Sequence, residues 1–285
     1  MAKLVEIIGV GHNPVAYTRM RNPNASDPKV LRIKAGYEQM RQRLASSRPD
    51  VLLCVGNDHL NQLFMDNMPA FLVGKSPVVE GPWPWERRMG MPEYRAPVDV
   101  PLAKGIIRGG FDHTVDFAYS DELRVDHAFT MPLDLLRPER DLPIVPLLCN
   151  VMAPPVPPAK RFYQVGESIS AIIAEYPEDT RVAAICSGHL AVEIGGPRGV
   201  GSLDPEFDTR SVELVGTGDV DGVFRELTWE RFWRAGNYTA GFLTFILLMG
   251  MAGGKPADHW ETIHSDMNGV PFLAWDVASN GGEAV

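Results

Sequence analysis

Two short apolar runs, Leu4–Val10 and Val51–Val55, each reach a glycine and then deliver a histidine, His12 and His59. Near-continuous apolar runs without polar alternation read as strands buried on both faces. Strands of that kind belong to parallel sheets, and parallel neighbours need a crossover between them. The intervening sequence supplies one: Leu31, Ile33, Tyr37, Met40 and Leu44 recur at helical spacing, which predicts a helix over about 29–46. The same grammar continues. Strands are expected at about 114–119, at Ile144–Leu148 and at Arg181–Cys186, with helices at about 98–110, at Met131–Leu136 and at about 160–175. Residues 75–101, rich in Pro, Gly and Trp, read as an irregular but ordered loop over a site. The last third reads as helical from Trp229 through Met251, with a frayed tail over Ser279–Val285. The expectation is an α/β fold, a single domain over 1–285 with a mainly parallel sheet and helices on both faces.

The bulk numbers narrow the function. A chain of 285 residues, 45% hydrophobic and 22% charged, can build a sizeable core. Its net charge of -9 argues against nucleic acid, whose phosphates need clustered Lys and Arg. Cys54, Cys149 and Cys186 each sit in or at the end of an apolar run and are expected to be buried reduced thiols. The longest apolar run, Ala240–Ala252, is shorter than the roughly 20 residues a bilayer span needs. No basic and apolar leader opens the chain, so a cytoplasmic protein without a membrane partner is expected. Gly9-Val10-Gly11 lacks the third glycine of a dinucleotide fingerprint.

The chemistry lies in the histidines. His12, His59 and His189 follow predicted strands, and His127 follows a Val-Asp step after another. Strand exits of an open α/β sheet converge on one crevice, the usual ligand site. Two imidazoles there are two thirds of a metal site. Ser187 beside His189 lacks the Gly-X-Ser-X-Gly elbow of a hydrolase nucleophile. Trp83, Trp85 and Tyr94 suit loop packing better than an aromatic pocket, and His113, His259 and His264 lie in polar surroundings and are expected to be solvated.

The motifs together resemble a family. Gly11-His12, Asn57-Asp58-His59, Val125-Asp126-His127 with Pro132-Leu133, Pro154-Pro155 before Gly166-Glu167-Ser168-Ile169, Gly196-Pro197-Arg198 and Glu206-Phe207-Asp208 are similar to the class III extradiol ring-cleavage dioxygenases, the superfamily of the protocatechuate 4,5-dioxygenase β subunit. The resemblance covers nearly the whole chain. It implies that His12 and His59 bind Fe(II), that His127 lies near the substrate, and that the reaction is oxidative cleavage of a catechol-like or related hydroxylated aromatic ring. It makes the protein an oxidoreductase of aromatic catabolism, with dioxygen and a small aromatic as its partners. A homo-oligomer, or pairing with a related subunit, is expected. Arg198 suits a substrate carboxylate.

Two features of that family are missing. Its glutamate ligand falls on Gly241, in Ala235-Gly236-Asn237-Tyr238-Thr239-Ala240-Gly241-Phe242, and its acid/base histidine falls on Val192. His189 stands three residues before Val192, where the family usually has glycine. Three accounts stay open. His189 completes the site, as third ligand or as displaced acid/base, with Glu193, Asp58 and Glu230 as weaker alternatives. The pocket runs a hydrolytic or lyase reaction, with Fe(II) or another divalent metal. Or the chain is a metal-free, catalytically silent paralogue that pairs with an active subunit.

Overall fold

The structure, a computed structural model, describes residues 1–198, 204–264 and 269–277. The predicted alternation is present. β1 (Lys3–Gly11) leads through α1 (Pro14–Met20) and α2 (Pro28–Ser47) to β2 (Val51–Gly56), then β3 (Phe71–Gly74). A side excursion follows: β4 (Val78–Gly81), α3 (Pro84–Arg88) and β5 (Tyr94–Pro97). The chain returns through α4 (Val100–Asp112), β6 (Ala118–Ser120), α5 (His127–Leu136), β7 (Ile144–Cys149), α6 (Ala159–Glu175) and β8 (Arg181–Gly188). Next come α7 (Pro205–Gly216), α8 (Val220–Glu226), α9 (Trp229–Ala235), a 3₁₀ turn (Thr239–Phe242) and α10 (Leu243–Met251). The described chain closes with β9 (His259–His264) and β10 (Gly269–Trp275).

Eight strands form one sheet in the order β6-β3-β7-β2-β8-β1-β10-β9. Its centre is parallel: β7 pairs with β2, β2 with β8, and β8 with β1. β3 joins β7, and β10 joins β1, antiparallel. The fold is thus a single α/β domain with a mostly parallel sheet. β8 enters between β1 and β2, so three neighbouring strands end side by side at one edge. All six residues of β2 and of β7 are buried, as continuous apolar runs require.

The local chemistry explains the frame. Asp27 caps α2 by accepting from the Lys29 amide, Pro28 opens the helix, and Arg48 ends it with a left-handed conformation. Its buried stripe is Val30, Ile33, Tyr37, Met40 and Leu44, while Leu31 points to solvent. Tyr37 donates its hydroxyl to the Gly11 carbonyl and fixes the helix to the exit of β1. α10 is buried along its whole length. It crosses α6 backbone to backbone. A Cβ at Gly166 would lie 2.0 Å from the Leu247 carbonyl oxygen, and one at Gly250 2.0 Å from that of Tyr163. Among the described residues no helix is long and apolar enough to cross a membrane.

The sequence reading needs three corrections. Residues 75–101 hold regular structure: β4 and β5 form a small antiparallel ladder with Val79 opposite Ala96, both buried, and α3 follows Trp83-Pro84. The last third is not simply helical. β9 and β10 form an antiparallel extension of the sheet, and α9 and α10 are separated by the 3₁₀ turn. Gly269 and Pro271 inside β10 disguise a strand, since both weaken or break ladders. The strand expected at about 114–119 is shorter and later, at Ala118–Ser120. The tail from Ser279 to Val285 lies outside the described residues.

Candidate metal centre

The three adjacent strand ends deliver histidines to one place. His12 follows β1, His189 follows β8, and His59 comes three residues after β2. His127 arrives from the first position of α5, whose cap Asp126 accepts from the Ala128 amide. Ring centroids of His12 and His59 are 5.2 Å apart, His12 and His189 4.0 Å, and His59 and His127 4.2 Å. One nitrogen each of His12, His59 and His127 lies within 4.8 Å of the others, and His189 Nε2 lies 3.2 Å from His59 Nε2. All four predicted histidines therefore share one buried cluster.

His12, His59 and His127 are each held from behind. His12 Nδ1 lies 2.8 Å from Ser187 Oγ. The Ser187 hydroxyl donates to the Ala128 carbonyl, which can only accept. The hydroxyl hydrogen is thereby committed, so His12 Nδ1–H must be the donor to Ser187. That fixes the tautomer and leaves His12 Nε2 as a bare lone pair. This atom is fully buried and, among the described residues, without a hydrogen-bond partner. Ala128 is free to take the serine hydrogen because Pro132, four residues on, has no N–H to offer its carbonyl. One internal proline thus sets the proton position on His12, through a carbonyl and a hydroxyl.

His59 is anchored more strongly. Asp126 Oδ2 accepts from its Nδ1–H at 2.9 Å and from its backbone amide at 2.7 Å. His127 is anchored by Glu86, which reaches in from α3 beneath the side excursion. Glu86 Oε1 accepts from the His127 amide at 3.0 Å and from Nδ1 at 2.5 Å, while Oε2 accepts from the Trp83 amide at 2.7 Å. Imidazoles with Nδ1 tied to carboxylate or hydroxyl and Nε2 turned inward are the usual outer arrangement of a metal centre.

Burial, then the neighbouring imidazoles, push His12 and His189 well below the usual imidazole range, so both are neutral at pH 7 with lone pairs available. Burial also opposes charge on His59, but Asp126, Glu86 and Asp58 outweigh it and raise the group. Burial works against the Asp126 charge as well. Contact with His59 prevails and holds the carboxyl below its ordinary range.

The other predicted residues are elsewhere. Arg198 is bound by Glu193 through Nε at 2.6 Å and by the Arg234 carbonyl at 2.7 Å. Among the described residues it makes no hydrogen bond to the four histidines. Asp58 caps its own loop, accepting from the amides of Asn61, Gln62 and Leu63. Glu193 is occupied by Arg198, and Glu230 is exposed in the first turn of α9. None of these three carboxylates bonds to a histidine of the cluster among the described residues. The Val192 amide donates to the Thr239 hydroxyl, and its carbonyl accepts from the Tyr238 amide. Of the remaining histidines, His113 pairs with Glu175, His259 is half-buried on β9, and His264 is exposed. The three cysteines are free and buried. Glu86 and Tyr238, whose ring lies parallel to His59 at 6.3 Å, were given no role by sequence; Asp126 was read only as part of the Val125-Asp126-His127 motif, and Ser187 only as a nucleophile candidate beside His189.

Residues 6–274 match the family model described as the catalytic LigB subunit of aromatic ring-opening dioxygenase, and the chain belongs to that family. It is 29% identical over 207 residues to a 2,3-dihydroxyphenylpropionate/2,3-dihydroxicinnamic acid 1,2-dioxygenase of Photorhabdus laumondii, covering 72% of this chain and 61% of that one. An enzyme of the same name from Escherichia coli is 30% identical over 193 residues, covering 67% and 58%. The match thus spans about three fifths of the length of these relatives. The crystal structure of an uncharacterized protein from Escherichia coli K12 has the same fold, with a TM-score of 0.63 over 95% of this chain and 99% of the other at 13% identity.

Proposed function

We propose that the chain is a metal-dependent oxidoreductase that opens a catechol-like or related hydroxylated aromatic ring by extradiol-type cleavage. In this reading His12 and His59 hold a non-haem divalent metal, Fe(II) by the family's chemistry, and His127 handles protons. One observation carries it. His12 Nε2 is a fully buried lone pair with no partner among the described residues, its tautomer fixed by Ser187, and a buried acceptor left unpaired is costly unless something binds it. A borderline first-row cation is what neutral imidazoles suit. When bound, the metal supplies the positions at which the ring oxygens and dioxygen meet, and the redox couple that lets them react.

The protein's own residues do the rest. His127 Nδ1–H is committed to Glu86, so its Nε2 is the atom that exchanges protons with the substrate hydroxyl. The Glu86 carboxylate stabilises the imidazolium as it forms. Asp126 keeps His59 in the tautomer whose Nε2 faces the centre. The strand-end crevice excludes water: His12 is fully buried, and His127 and His189 are nearly so.

The test is dioxygen uptake after anaerobic loading with Fe(II), screened over catechols, dihydroxyphenylpropionate, gallate, aminophenols and hydroxypyridines. Uptake with a ring-opened product is expected for at least one class. A protein that binds metal yet consumes no dioxygen with any of them refutes the reading. A protein that does neither is the silent relative of an active subunit.

A further inference from the structure

The cluster holds four imidazoles, and among the described residues the two carboxylates that bond to it lie behind the rings. Asp126 and Glu86 are occupied with Nδ1 atoms and backbone amides. Which imidazoles can share an ion is decided by ring orientation, because an imidazole lone pair lies in the plane of its ring. His59 and His127 are stacked, 20° from parallel with centroids 4.2 Å apart. An ion in the plane of one lies well out of the plane of the other. His12, His59 and His189 are instead mutually crossed, at 82°, 71° and 61°. His59 Nε2 and His189 Nε2 are 3.2 Å apart. Two nitrogens about 2.1 Å from one ion and at right angles to each other would be about 3.0 Å apart. Crossing leaves the lone pairs of His12, His59 and His189 free to meet at one point, whereas the stacking of His59 on His127 does not, even though one nitrogen each of His12, His59 and His127 lies within 4.8 Å of the others.

His189 reaches this position because of Gly241. Gly188 and Gly241 pass backbone to backbone, and a Cβ at Gly188 would lie 2.5 Å from the Gly241 carbonyl oxygen. Thr244 locks the crossing with its one hydroxyl hydrogen shared between the Ser187 and Gly241 carbonyls. The His189 ring then lies over Gly241. A Cβ built at 241 would be 3.0 Å from His189 Cδ2 and 3.3 Å from its Cβ. Any side chain at 241 would contest the space the imidazole fills.

Resting on the proposed metal site, we infer that His189 is its third protein ligand, so that the centre is formed by His12, His59 and His189 with no carboxylate, and that Gly241 is the residue that admits it. His127 is then a neighbour of the centre and not a ligand. Three neutral ligands leave the full divalent charge on the ion.

The test uses metal binding rather than turnover. Anaerobic equilibrium dialysis with Fe(II), read by elemental analysis, gives affinity. Pulsed EPR of the Cu(II)-loaded protein counts bound imidazoles. Wild type, His127→Ala, His189→Ala, His189→Gln, Gly241→Ala and the double variant Gly241→Ala with His189→Ala are compared, with circular dichroism to check folding; His189→Gln keeps the volume if the alanine variant does not fold. The expected result is three imidazoles in wild type and in His127→Ala, and one fewer in either His189 variant. Affinity in those variants falls by roughly 100-fold, since even outer partners cost about 10–100-fold. Gly241→Ala weakens binding in the wild type and has no effect once His189 is gone. Unchanged affinity and count in the His189 variants, or loss of an imidazole in His127→Ala, overturns the assignment while leaving the metal site standing. A wild type that takes up no metal overturns both.

Discussion

Replacing Ser187 by alanine removes one oxygen that does two jobs. His12 Nδ1–H loses its acceptor inside a ring that is fully buried, and the Ala128 carbonyl loses its donor at a turn where Pro132 cannot supply one. Leaving a buried polar group unpaired costs about 1–3 kcal/mol. With some relaxation between two neighbouring groups, the total should be on the order of 3 kcal/mol. A urea titration reads this as a lower midpoint at unchanged slope. The second effect is on the metal. Without Ser187 nothing selects the Nδ1–H tautomer, and His12 Nε2 carries the proton part of the time. Fe(II) affinity should fall about 10–100-fold, the usual cost of losing an outer partner. Nitrogen-15 NMR of labelled imidazoles checks the cause, because the His12 tautomer should change with the affinity. If Fe(II) affinity stays within roughly twofold of wild type and the His12 tautomer is unmoved, the serine relay is not what orients the ligand.

Three further outcomes follow from the same geometry. Pro132→Ala restores an N–H opposite the Ala128 carbonyl, so α5 should stabilise by up to about 3 kcal/mol in a denaturant melt, while the Ser187 hydrogen is contested and Fe(II) binding weakens. Glu86→Gln presents an amide NH2 to a site where three N–H groups converge, so one donor pair must face another. It should cost about 1–3 kcal/mol in unfolding and make the chain at 84–90 more open to limited proteolysis. Glu6, paired with Arg43 at 3.0 Å, is raised to about 7 because burial outweighs the arginine. The folded protein therefore holds a proton there that the unfolded chain releases near 4.5. Stability falls as pH rises from about 4.5 to about 7, by up to about 3 kcal/mol from this group. Glu6→Gln should flatten that slope in melts taken across the window, and an unchanged slope would assign it to other groups.

Much of the frame was legible because its signals are local. Apolar runs marked β1, β2, β7 and β8, three of them ending in glycine, and helical spacing marked α2, since both patterns follow from backbone geometry alone. The strand-exit histidines were legible for the same reason, and the structure brings His12, His59, His127 and His189 together. What was not legible is what lies behind them. Glu86 sits in a stretch that reads as Pro- and Trp-rich loop, and only its contact with His127, 41 residues away in sequence, gives it meaning. Ser187 was weighed as a nucleophile beside His189, but its partner is His12 on the neighbouring strand, 175 residues earlier. β10 was hidden by Gly269 and Pro271, and with it the partner against which β9 pairs.

The position of Pro132 shows why such pieces escape a local reading. A proline inside a helix normally reads as a defect: it deletes one hydrogen bond and strains the carbonyl four residues back. Here the orphaned carbonyl, Ala128, belongs to the first turn of α5, which carries His127, and it faces Ser187 at the end of β8, which leads to His189. The serine gives its hydrogen to that carbonyl and its lone pair to His12 at the end of β1. One missing N–H therefore joins three elements, and each carries a histidine of the cluster. The helix loses one bond, and the sheet edge gains a fixed proton position on a buried imidazole. A helix-propensity scale records only the loss, because the gain lies on other strands and requires the order β2-β8-β1 that brings them together.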